Sequence, residues 1–193
     1  MHRFMTSLAR FMATLGGLVL FALIVLTCVS VTGRILGGLL HGMIESSVIG
    51  DLAQWLLDLG IGPIYGDYEV IEAGVAFCIF AFLPWTQVNA GHATVDIFTN
   101  MLPRLPNRFL ITLSEVLFAL VLMLIAWKLY DGMQSKIRNG ETSFLIQFPV
   151  WWAYALSLFG AVMAAGTAFY TACLRVFELV SGRTIMTAGG ANH

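Results

Sequence analysis

The sequence predicts an all-α integral membrane protein: four transmembrane helices joined by interfacial amphipathic helices. Three observations carry that expectation. Of 193 residues, 59% are apolar and 11% charged, whereas a soluble domain has about 45–50% and about 25%. The mean hydropathy is +0.84. The apolar residues are gathered into four long runs, and a helix needs about 20 of them to cross a hydrocarbon core of about 30 Å. The same composition excludes an ordinary soluble enzyme and a disordered chain. With a net charge of -1 it offers no basic face for nucleic acid.

The predicted spans cover about residues 11–31, 70–88, 109–130 and 150–174. Arg34 is expected to close the first, with Gly37 and Gly38 breaking the chain soon after it. The second holds Pro84, which a membrane helix tolerates where neighbours satisfy the freed carbonyl. Pro106 suits the opening of the third helix, where its missing N–H is no loss. Asn139-Gly140 marks the turn after it. Trp151, Trp152 and Tyr154 follow Pro149 at the start of the fourth, the composition of an interfacial aromatic belt.

Two connections carry helical periodicity. Over about residues 38–60, Leu40, Met43, Ile44, Val48, Leu52 and Trp55 recur at three- and four-residue steps, with Glu45, Asp51, Gln54 and Asp58 on the other arc. This predicts an amphipathic helix along the periplasmic interface. Over about 94–103, Val95, Phe98, Met101 and Leu102 alternate with Asp96 and Asn100, predicting a shorter cytoplasmic interfacial helix. Near the ends of the spans, Arg3, Arg10, Arg104, Arg108, Arg175 and Arg183 fall on one side. Arg34, Lys128, Lys136 and Arg138 fall on the other. The richer side is read as cytoplasmic, which puts both termini there.

Little in the chain suits catalysis. His2, His41, His92 and His193 lie outside the spans, so no pair of axial haem ligands is on offer. Cys28, Cys78 and Cys173 each stand alone in an apolar run and read as small hydrophobes. No enzyme activity, metal or cofactor is expected. There is no matched pair of Gly/Pro-broken half-helices, the usual sign of a transporter's own binding site. Gly16-Gly17, and Gly160 with Ala164, read as points of close helix packing. Glu115 lies about 9 Å into the third span at 1.5 Å per residue. A hydrogen bond to Thr167 at similar depth, or to a partner subunit, is the expected use. Arg34 should lie at the depth of Glu69 and Glu72, which favours an interhelical ion pair.

The segment Gly91-His92-Ala93-Thr94-Val95-Asp96, followed by Leu102-Pro103, resembles the signature after the second span of TRAP transporter small permease subunits (DctQ type). Phe148-Pro149-Val150-Trp151-Trp152-Ala153-Tyr154 is similar to the stretch that opens the family's fourth span. Arg34 resembles the Arg closing its first span, and Glu69 and Glu72 the acids opening its second.

The resemblance implies a tripartite ATP-independent periplasmic system in a bacterial inner membrane. A periplasmic substrate-binding protein delivers an organic acid, a large permease subunit (DctM type) carries it with an ion gradient, usually Na+, and this small subunit braces the large one. Arg34, Glu69, Glu72, His92, Asp96, Glu115, Trp151 and Trp152 become candidates for structural or subunit-interface roles, with no substrate or metal site implied. The long segment 37–66 departs from minimal members of the family. Two other readings stay open on the residues alone: a membrane anchor of a respiratory oxidoreductase, and a stand-alone small channel.

Overall fold

Inside hydrocarbon a backbone amide finds a partner only along its own chain or in a closed barrel, and this chain takes the helical solution. The computed structural model describes residues 2–45, 64–89 and 104–181. They form α1 (His2–Glu45), α2 (Asp67–Val88), α3 (Arg104–Asn139) and α4 (Trp151–Ser181). Each is long and apolar enough to cross a membrane.

The helices outrun the apolar runs. At 44 residues α1 is about 66 Å long, twice a bilayer core. It passes Arg34 and continues through Gly37 and Gly38 without a break, contrary to the sequence expectation. Neither glycine takes a positive φ. A mid-helix Gly loses only about 1 kcal/mol against Ala, and Ile35-Leu36 and Leu39-Leu40 on either side are good helix formers with no competing turn residue. Residues 38–45 of the expected interfacial segment therefore prolong α1; residues 46–63 and the expected helix over 94–103 lie outside the described residues. α2 keeps its helix through the buried Pro84. α3 holds Pro106 in its first turn and ends at Asn139, with Gly140 at φ 62.

Among the described residues the helices stand in a row, α1–α2–α4–α3, rather than in a closed bundle. α2 packs between α1 and α4, and α4 between α2 and α3. α3 touches neither α1 nor α2, and α1 barely reaches α4. There are accordingly two apolar clusters. One joins Met12, Leu23, Phe77, Cys78 and Ala81; the other joins Ala119 and Leu122 to Ala164, Ala165, Ala168 and Ala172. In water an open row would expose too much apolar surface. In lipid the tails solvate that surface as well as another helix would, so close backbone approach and polar pairs decide which helices meet.

The seams are built that way. Down α1 the buried residues Ala9, Gly16, Leu23 and Ser30 step by heptads. Gly16 meets Ala81, Leu23 meets Gly74, and Ser30 meets Asp67, the same step taken backwards along α2. The pair is antiparallel and packs like a coiled coil. A Cβ on Gly16 would lie 2.9 Å from that of Ala81, whereas Gly17, also expected at a contact, has open space around it. On the other flank of α2, a Cβ on Gly160 would sit 2.9 Å from Phe80 Cβ and 3.6 Å from the Ala81 nitrogen. α3 and α4 pair antiparallel as well, with Gly132 beneath the Tyr154 ring at one end and Glu115 beside Thr171 at the other.

Substituting Gly160→Leu is expected to push α4 off α2 and lower stability by about 1–3 kcal/mol, the usual range for overpacking. Gly17→Leu should leave it unchanged. Thermal unfolding of the two variants in one detergent checks both.

Candidate functional site

The start of α2 gathers most of the charge that the sequence singled out. Gly66 precedes the helix at φ 82, a conformation that favours glycine, and Asp67 and Glu69 fall in the first turn, where carboxylates oppose the positive end of the helix dipole. Two residues along a helix turn about 200°. The two acids therefore leave the helix on opposite flanks, and each ties α2 to a different neighbour.

Asp67 turns toward α1. Its carboxylate is 5% exposed and pairs with Arg34. It also accepts hydrogen bonds from the Ser30 hydroxyl and, at 3.0 Å, from the Tyr68 N–H. Arg34 completes the cluster by donating to the Tyr68 hydroxyl at 2.8 Å and to Ser30 Oγ at 3.2 Å, with its guanidinium 4.9 Å from the Tyr68 ring centroid. The ion pair expected between Arg34 and Glu69 or Glu72 thus forms with Asp67 instead. The helix begins two residues ahead of Glu69, and the heptad register brings Asp67, not Glu69, opposite Ser30 and Arg34.

Glu69 turns the other way, into the connection between α3 and α4. It accepts the Leu145 N–H at 2.7 Å, the Ile146 N–H at 3.0 Å and the Ser143 hydroxyl at 2.8 Å. These close a small hairpin. Thr142 and Pro149 form an antiparallel bridge, Ser143 N–H donates to Phe148 O at 2.9 Å, and Val150 N–H donates to Glu141 O at 3.0 Å. At its base Lys136 pairs with Glu141, which also accepts from Asn139 at 3.1 Å. The Lys136 hydrogen bond, with that from Asn139, holds the Glu141 carboxyl below the usual carboxylate range. Ile146 folds over Gly66, where a Cβ would lie 2.3 Å from Ile146 Cγ1. The hairpin presents Phe144 almost fully to the surroundings, at 92% exposure.

The remaining candidates are spread out. Glu72 is exposed and lines a cavity of about 460 Å3 between α2, the hairpin and α4. Trp151 and Trp152 meet edge to face at 5.8 Å and turn outward, Trp152 being 57% exposed. Glu115 lies at the opposite end of the row, 5% exposed, 3.4 Å from the Thr171 hydroxyl. Thr167, expected beside it, donates to its own helix at Met163 O and Ala164 O; Thr171 is one turn further on the same face. The partly buried pair Arg175–Glu178, at 3.1 Å within α4, extends this polar end. His92 and Asp96 lie outside the described residues.

Sequence reasoning missed Asp67, Ser30, Tyr68 and the hairpin. Asp67 carried a usable signal, an acid directly after a glycine at a helix start. The hairpin carried none, because what closes it is a carboxylate from another helix.

Replacing Glu69 by Gln, which trades acceptor capacity for donors, is expected to speed amide hydrogen exchange at Leu145 and Ile146 while sparing Ala81 and Ala164. Gly66→Ala should do the same and lower stability by about 1–3 kcal/mol through crowding and backbone strain. The Glu141 carboxyl should titrate below the ordinary carboxylate range, and Lys136→Gln should return it upward. Because its pKa is lowered on folding, the stability it contributes is present above the unfolded value and is lost as pH falls through the folded one. Carbon NMR titration of labelled glutamate reads the shift.

The family model for the DctQ component of tripartite ATP-independent periplasmic transporters matches residues 23–178, most of the chain and all four helices in part or whole. No curated protein and no solved structure matches it.

Proposed function

The chain belongs to the DctQ family of tripartite ATP-independent periplasmic transporter components, and we propose that it serves as the brace for that transporter's large permease subunit. It is a multi-pass membrane subunit of a transporter rather than a free-standing enzyme. One observation supports the bracing role above others: the row α1–α2–α4–α3 leaves both broad sides of the molecule without a covering helix among the described residues. One side can face lipid while the other seats a larger neighbour. Four helices whose closest approaches are at Gly and Ala can supply a rigid wall, and among the described residues none is broken in the manner of a solute-carrying helix.

In this reading the large subunit moves an organic acid with a sodium gradient, and a periplasmic binding protein supplies that acid. The hairpin and the Arg34–Asp67 cluster lie at the periplasmic end of a chain in a bacterial inner membrane, and both termini are cytoplasmic. Arg34, Glu69, Glu115, Trp151 and Trp152 act in holding the wall or its contact with the large subunit.

Pull-down of the tagged chain from native membranes is expected to bring one large membrane protein in fixed ratio, and deletion of the chain should abolish uptake. Uptake by this chain alone in proteoliposomes would overturn the reading. With the native cysteines removed, Phe144→Cys should react with an impermeant maleimide from the periplasm and His193→Cys should not; the reverse would invert the orientation.

A further inference from the structure

The cavity behind the hairpin has a polar chemistry that the fold does not use. Its lining carries four polar side chains from α2, the hairpin and α4 besides Glu69, and Ser143 among them is already bound to Glu69. The other three make no hydrogen bond among the described residues: the Glu72 carboxylate on the α2 wall, and the Tyr154 and Ser157 hydroxyls one helical turn apart on α4. Ser157 is only 3% exposed and lines the cavity. Around these groups Ala73, Leu129 and Phe148 give the cavity apolar walls.

We infer that this cavity is the socket for a lysine side chain of the large permease subunit. An ammonium is a compact charge with three donors and no acceptor, and the cavity offers the Glu72 carboxylate together with the Tyr154 and Ser157 hydroxyl oxygens. Its four-carbon stem is apolar and would lie against Ala73, Leu129 and Phe148, as amphipathic side chains do at such boundaries. An amine-headed phospholipid fits less well. It carries a phosphate beside its amine, and the lining contains no Lys or Arg to receive a phosphate, while Glu69 adds a second carboxylate to the wall. The position is also suited to a neighbour: α2 and α3 make no close backbone approach, and the cavity is lined from both of them and from α4.

This inference rests on the bracing function proposed above, and one experiment separates the two. Native membranes holding the whole transporter are treated with a water-soluble carbodiimide. The reagent activates a carboxylate, the paired amine displaces the activated group, and an amide forms as the reagent takes up the water and leaves as a urea. Peptide mass spectrometry then maps Glu72. The expected result is an amide between Glu72 and one lysine of the co-purifying permease, lost in Glu72→Gln while the two subunits still co-purify. An amide to an ethanolamine lipid, an amide only to this chain's own lysines, or none at all with the complex intact would overturn the lysine socket and leave the brace standing. Failure of any large partner to co-purify from untreated membranes would overturn both.

Discussion

The architecture depends on how closely α2 can be approached from both flanks. Around Ala81, which is fully buried, α1 comes in at Gly16 and α4 at Gly160, each without a side chain to hold the backbones apart. In lipid this is the main source of helix association, since burying one apolar face against another gains little over burying it in acyl chains. The consequence is geometric. A helix with two narrow small-residue flanks accepts two neighbours, α4 with flanks toward α2 and α3 accepts two more, and the result is a row. A large central residue at any of these crossings would have favoured looser packing and a different order.

The polar contacts refine that arrangement. Asp67 and Glu69 leave α2 on opposite sides because of the helical pitch, so one turn of sequence anchors the central helix to α1 through Arg34 and to the α3–α4 connection through three donors. Both carboxylates are well provided with hydrogen bonds, which is what makes a partly buried charge tolerable. The same anchoring keeps a short apolar hairpin in place beyond the end of the spans. At the other end of the row Glu115 and Thr171 give α3 and α4 a second polar meeting point, with the Arg175–Glu178 pair of α4 beyond it. Between the two ends glycine and alanine set the closest approaches, and larger side chains such as Met12, Leu23, Phe77 and Leu122 fill in around them.

A row of this kind is a wall. Its surface is rich in exposed Leu, Val, Phe and Ile, and the hairpin and the cavity add polar groups at one end. Such a surface is in keeping with the brace proposed above. Among the described residues, Arg34, Asp67 and Glu69 are spent on holding elements together.

What the sequence determined by itself was the class and the count. The apolar runs, the scarcity of charge, Asn139-Gly140 and the aromatic start of α4 are local properties, readable one segment at a time, and the short motifs around Gly91–Asp96 and Pro149–Tyr154 pointed to the family. What only the tertiary structure decided was which helix meets which, and therefore which charge meets which. Arg34 could be placed at the right depth but not given its partner, because that choice turns on where α2 begins and on its rotation about its axis. Gly37 and Gly38 looked like a break because turn propensity is a local quantity, and α1 passed through them. Glu69's role was hidden for the same physical reason: its donors belong to a connection far along the chain, brought to it by α4 packing beside α2 at Gly160.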